Sequence, residues 1–153
     1  MAKVEQEPID AARSPVLLEV HNLDTNSIVA LVGHPLHVMM VHFPVAFVFA
    51  TLGADVFYWW SGDAFWVRAG LWAAGVAFWT GVAASAVGTA ELLLVRGIRL
   101  LEASWSHAVA AMTLLAVAGA NWGLRLAYPE SILPHGLALS ALASVMTGFA
   151  GWH

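Results

Sequence analysis

Four apolar stretches free of Asp, Glu, Lys and Arg divide the chain: Thr25–Ala54, Ala69–Ala90, Ala103–Leu124 and Ser131–His153. The charged residues cluster between and before them: Lys3 to Asp24; Asp55, Asp63 and Arg68; Glu91, Arg96, Arg99 and Glu102; Arg125 and Glu130. A bilayer core is crossed by about 20 apolar residues in helical form. A lone lipid-exposed strand would leave its backbone unpaired. The pattern therefore predicts spanning helices near 38–59, 66–88, 104–127 and 133–152. The segment ahead of them differs. Met1 to Arg13 is polar and carries no apolar run, so it is not read as a cleavable signal peptide. Ser14-Pro15 has the form of an N-cap and first helical residue, and Val16, Leu17, Val20 and Leu23 follow at helical spacing. This segment is either a short helix lying on the membrane surface or a loosely ordered arm. The expected architecture is an all-α membrane protein: an up-and-down bundle of four transmembrane helices over 33–153, preceded by a polar arm and short surface helix over 1–32.

Composition sharpens the class. Sixty percent of the 153 residues are hydrophobic, 10% are charged and the mean hydropathy is +0.75; soluble domains carry about 25% charged residues. A soluble domain of this size could not hide so much apolar surface, and a disordered chain is excluded on the same ground. A net charge of −4 with only six Lys+Arg excludes a nucleic-acid binder. The absence of cysteine removes disulfides, Cys-ligated zinc, iron–sulfur clusters and thiol chemistry. No Ser/His/Asp order, phosphate loop or paired carboxylates point to a hydrolase or kinase. The bilayer is the expected partner, and a redox or structural subunit fits better than a stand-alone enzyme.

Up-and-down folding puts Lys3, Arg13, Arg96 and Arg99 on the side of the termini (the near side) and Arg68 and Arg125 on the far side. That excess predicts cytoplasmic termini in an inner membrane. Tyr58, Trp59, Trp60, Trp66, Trp122 and Tyr128 form a far-side aromatic belt, with Trp105 and Trp152 on the near side; Trp72 and Trp79, at mid-helix, are read as core or lipid-facing, with packing on a partner or a flat cofactor as the alternative. Small residues four apart predict close helix contacts at Gly81/Ser85, Gly119/Gly123 and Ser140/Ser144/Gly148. Asp55 and Asn121 fall at one level near the far end, within reach of a hydrogen bond across the bundle, with Arg68 and Arg125 placed to neutralise Asp55.

The histidines carry the functional signal. The same topology gathers His34, His37, His42, His107 and His153 at the near-side surface, leaving only His135 on the far side and His21 in the arm. Imidazole stays uncharged when ligated and suits haem iron, copper and zinc. An ionisable residue inside a span is a functional hypothesis by default. His42 and His107 each lie about one turn inside their helices, in spans that face each other diagonally, as cofactor sites in bundles require. They are the first candidates for the axial ligands of a b-type haem, with His37 and His34 as alternates. Pro44 frees a backbone carbonyl nearby that is suited to orient a ligating ring, and the small residues of the second and fourth spans would house the porphyrin. A non-haem metal bound by His34, His37, His42 and His153 with Glu91 is the competing reading, and a cofactor-free subunit of a larger complex is the third. His135, beside Leu133-Pro134, reads as structural.

The segment Gly33-His34-Pro35-Leu36-His37-Val38-Met39-Met40-Val41-His42-Phe43-Pro44-Val45-Ala46 resembles the opening of the DUF2231 family of bacterial membrane proteins, whose first helix begins with a similar His-Pro-x-His and Val-His-Phe-Pro. Asp55, Phe65-Trp66-Val67-Arg68-Ala69, Ser106-His107-Ala108 and Gly148-Phe149-Ala150-Gly151-Trp152 extend the likeness over about residues 30–153. The resemblance implies four spanning helices. Some relatives stand beside redox modules such as Rieske-type domains, which implies electron transfer with a membrane or redox protein partner, or with quinone. Relatives usually continue through a Gly-rich tail bearing another histidine; if that tail supplies a ligand, either His153 takes its place here or the site is incomplete.

Overall fold

The computed structural model describes residues 30–31 and 34–152, with side chains described for residues 36–150. The expected surface helix over 15–31 thus lies almost wholly outside the described residues. Two short strands, β1 (Ala30–Leu31) and β2 (His34–Pro35), pair antiparallel and lead into the first helix. The rest is helical: α1 (Leu36–Ser61), α2 (Ala64–Leu94), the single turn α3 (Arg96–Arg99), α4 (Glu102–Ala127), a 3-10 turn (Pro129–Ile132) and α5 (His135–Trp152).

Local chemistry sets the breaks. Gly62 takes a φ of +68°, which costs a residue without a side chain little, and its N–H closes on the Tyr58 carbonyl at 2.8 Å. Asp63 then caps α2, its side chain accepting from the Phe65 N–H at 2.8 Å. Two residues therefore turn α1 back into α2. At the end of α4, Pro129 forbids its predecessor a helical conformation, and Tyr128 leaves the helix at φ −139°, ψ 72°. The second span was expected to end near residue 88, ahead of Glu91. Instead α2 runs to Leu94 with Glu91 buried in its wall.

The four long helices close a ring. α1 packs on α2 and α5, and α4 packs on the same two, so α1 and α4 occupy one diagonal. α1, α2 and α4 are long and apolar enough to cross a membrane, and α5 is a shorter apolar helix. Side-chain size is distributed as lipid requires. Ala54, Ala73, Ala74, Ala77, Ala84, Ala118 and Ala143 fill the interior, while Phe43, Phe49, Trp60, Trp72 and Phe149 face outward. Lipid gives helices no hydrophobic reason to associate, so small residues that admit close approach take the inside.

Some expected contacts move. Gly123 and Gly148 border open space, whereas Gly119 makes room for the Phe78 ring and Gly75 for Trp122. Phe78 stacks on Trp122 at 5.6 Å, and Trp79 meets Trp122 edge-on at 6.0 Å. Trp72 is exposed on the outer surface, in keeping with a lipid-facing ring.

Candidate functional site

Polar groups gather at two levels. At the far end, Arg125 and Asp55 are buried to 2% and 1% exposure. Arg125 donates to both Asp55 oxygens, Nη1 to Oδ1 at 2.9 Å and Nη2 to Oδ2 at 2.6 Å. Its Nε donates to Asn121 Oδ1 at 3.0 Å and its Nη2 also to Ser140 Oγ at 3.0 Å. Ser140 donates to Asp55 Oδ2 at 2.6 Å, and Asn121 Nδ2 donates to Ser140 Oγ at 2.9 Å. The cluster ties α1, α4 and α5. Gly70 lets α2 approach it, because a Cβ there would lie 2.7 Å from Arg125 Nη1. The expected pairing of Asp55 with Asn121 is thus indirect, through Ser140 and Arg125. Arg125 is the neutralising partner, and Arg68 stays exposed. Both carboxylate oxygens and all three guanidinium nitrogens are engaged, so this site locks helices together and offers no open ligand position.

At the near end a cleft of about 390 Å³ opens between α1, α2, α3 and α4. His37 and His107 line it, with Glu91, Gly88, Leu92 and Met112 among its walls. The His37 Nδ1–H donates to the Ala84 carbonyl at 2.9 Å. A carbonyl only accepts, so the proton is on Nδ1, and Nε2 of the neutral ring keeps its lone pair. The ring lies against Gly88, where a Cβ would stand 2.6 Å from His37 Cε1 and 3.1 Å from Nε2. Among the described residues the His107 ring makes no hydrogen bond, and the residue is exposed.

Of the near-side histidines, His37 and His107 line this one cleft. His42 is exposed on α1 and does not line the cleft. The reason is rotational. At about 100° per residue, His37 falls within about 20° of Val48 and on the line of Asp55, whereas His42 points about 140° away from Asp55. The carbonyl that orients the ring also differs from the expectation: it is Ala84 of α2, not one freed by Pro44 in α1. The cleft walls come from α1, α2, α3 and α4, with no residue of α5 lining it. Among the described residues no three or more His, Asp or Glu side chains are grouped to hold a metal ion. The multi-histidine set with Glu91 is therefore not assembled within them; the side chains of His34 and His153 lie outside the described residues. His135 is exposed at the opposite end, where α5 begins.

The family model for DUF2231, a predicted membrane protein, matches residues 33–153. The chain belongs to the DUF2231 family. The match takes in all four long helices and both polar levels of this DUF2231 protein, from the residue before His34 to the last. No curated protein and no solved structure matches it.

The residue missed as a site former is Gly88. Glycine in an apolar helix reads as ordinary packing, and only the imidazole lying on it reveals its role. Sequence spacing offers Arg68 and Arg125 alike as partners of Asp55; only the fold shows that Arg125 is the enclosed one.

Proposed function

We propose that this DUF2231 protein is an electron-transfer subunit that spans the bilayer four times and holds a b-type haem in the near-side cleft. The observation that carries the reading is the presence of two imidazoles in one cleft at the end of an apolar helix bundle. Its 390 Å³ lies within the range of about 300–1,000 Å³ usual for ligand and cofactor sites. Leu92, Ile98, Ala111 and Met112 supply an apolar wall. An imidazole whose Nδ1–H is held by a backbone carbonyl is oriented as ligating histidines usually are. Haem iron held by imidazoles would supply one-electron redox chemistry. The chain's part is to orient the imidazoles and exclude water around the ring.

The packing supports four crossings. α5 measures about 27 Å at 1.5 Å per residue, close to the ~30 Å of a bilayer core. It lies between α1 and α4, both long enough to cross, and exposes Leu142, Val145 and Phe149 outward. Arg96 and Arg99 are exposed on the near side, while burial of Arg125 leaves Arg68 as the far-side arginine open to solvent among the described residues. That asymmetry supports a cleft facing the cytoplasm in an inner membrane, where a redox protein or quinone would exchange electrons with it.

The test is an absorption spectrum of protein made with ample haem, purified in detergent, before and after dithionite. A Soret band with sharpened bands on reduction is expected. No Soret band refutes the haem reading; bound zinc or copper would then indicate a metal protein, and neither would indicate a structural subunit.

A further inference from the structure

We infer that the axial pair is His37 and His107, and that His42, the more conspicuous histidine of the first helix, takes no part. The assignment rests on the haem reading above and adds to it the two coordinating residues and the glycine that seats one of them.

The Asp55–Arg125 pair fixes the register of α1 against α4, since both its N–H···O contacts join those two helices at the far end. Both helices run from the near side to the far side. His37 precedes Asp55 by 18 residues, and His107 precedes Arg125 by 18 residues. Eighteen residues make five full turns, about 27 Å of rise with no net rotation. His37 and His107 therefore stand at the same depth, each on the stripe of its helix that points at the bundle interior. α2, running the other way, reports the same interval. Gly70 touches the ion pair and Gly88, 18 residues on, touches the His37 ring. His42 is five residues nearer Asp55, which shifts it about 7.5 Å in depth and about 140° around the helix relative to His37. Two ligands on one iron need a common depth and converging faces, and only the first pair has both.

The seat of His37 is built by α2. The Ala84 carbonyl accepts a hydrogen bond from its Nδ1–H, which leaves Nε2 as the coordinating atom. Gly88 leaves the space the ring occupies; a methyl group there would force it away from its present position. Gly88 is thus a positioning residue for the site.

The experiment compares haem content and reduced spectra of the full-length wild type, H37A, H107A, H42A and G88A, each checked by its thermal melt. H37A and H107A are expected to lose haem occupancy at least about tenfold, and G88A about tenfold through loss of ligand orientation; H42A should retain the wild-type spectrum. Added imidazole should restore a six-coordinate low-spin spectrum to H37A, which separates loss of a ligand from loss of fold. A wild-type-like spectrum in H37A, or its loss in H42A, overturns the axial assignment while the haem reading stands. A wild type without haem overturns both.

Discussion

Removing Asp55 should destabilise the protein far more than removing an ordinary surface acid. Arg125 is 2% exposed in the native protein, and in D55A its guanidinium keeps only Asn121 and Ser140 as side-chain acceptors. Breaking a buried pair by deleting one member costs about 3–5 kcal/mol, because the surviving charge has no counterion and no water. R125A strands the carboxylate in the same way and also leaves Asn121 Oδ1 without its donor. The double variant removes both charges together, so it should be less destabilised than the sum of the singles by about 2 kcal/mol or more, as for other close charge pairs. Equilibrium unfolding in mixed micelles, followed by tryptophan fluorescence, measures all three. Trp122 lies one turn from Arg125 and stacks on Phe78, so it should report local release of the α2–α4 contact. Single-variant costs below about 1 kcal/mol, the level of a solvated surface pair, would refute the reasoning. Strict additivity in the double variant would refute it equally.

The remaining expectations concern packing and topology. G70A should cost about 1–3 kcal/mol by forcing Arg125 off Asp55, since the new methyl would sit 2.7 Å from Nη1. G53A, with nothing within 4 Å of the added methyl, should be neutral or stabilising by up to about 1 kcal/mol; a larger loss than in G70A would overturn the packing described. The chain has no cysteine, so single cysteines give clean accessibility data. S61C and S131C should be labelled from one face of the membrane, and L100C and a reporter fused after His153 from the other. A reporter on the same face as S131C would show that α5 does not cross. The spectroscopic tests of the cleft stand alongside these.

Much of this molecule was legible in the chain before folding was considered. Charge-free stretches longer than a bilayer is thick can only be helices when water is absent, so the helical class and approximate spans follow from composition and length. The gathering of His37 and His107 at one end follows from counting crossings. That Asp55 and Asn121 share one polar cluster at the far end was also readable, because two helices running the same way carry them at similar distances from their starts. The choice among histidines was not readable in the same way. His42 has a specific motif around it and lies inside its helix, yet rotation about the helix axis decides what it faces, and that rotation is set by where α1 docks. That docking brings Asp55 to Arg125, 70 positions away along the chain. The enclosure of Arg125, the seat of His37 on Gly88 and the absence of α5 from the cleft walls have the same origin. Each depends on which surfaces of neighbouring helices meet. Periodicity along one helix defines its faces, and only tertiary packing decides what each face touches.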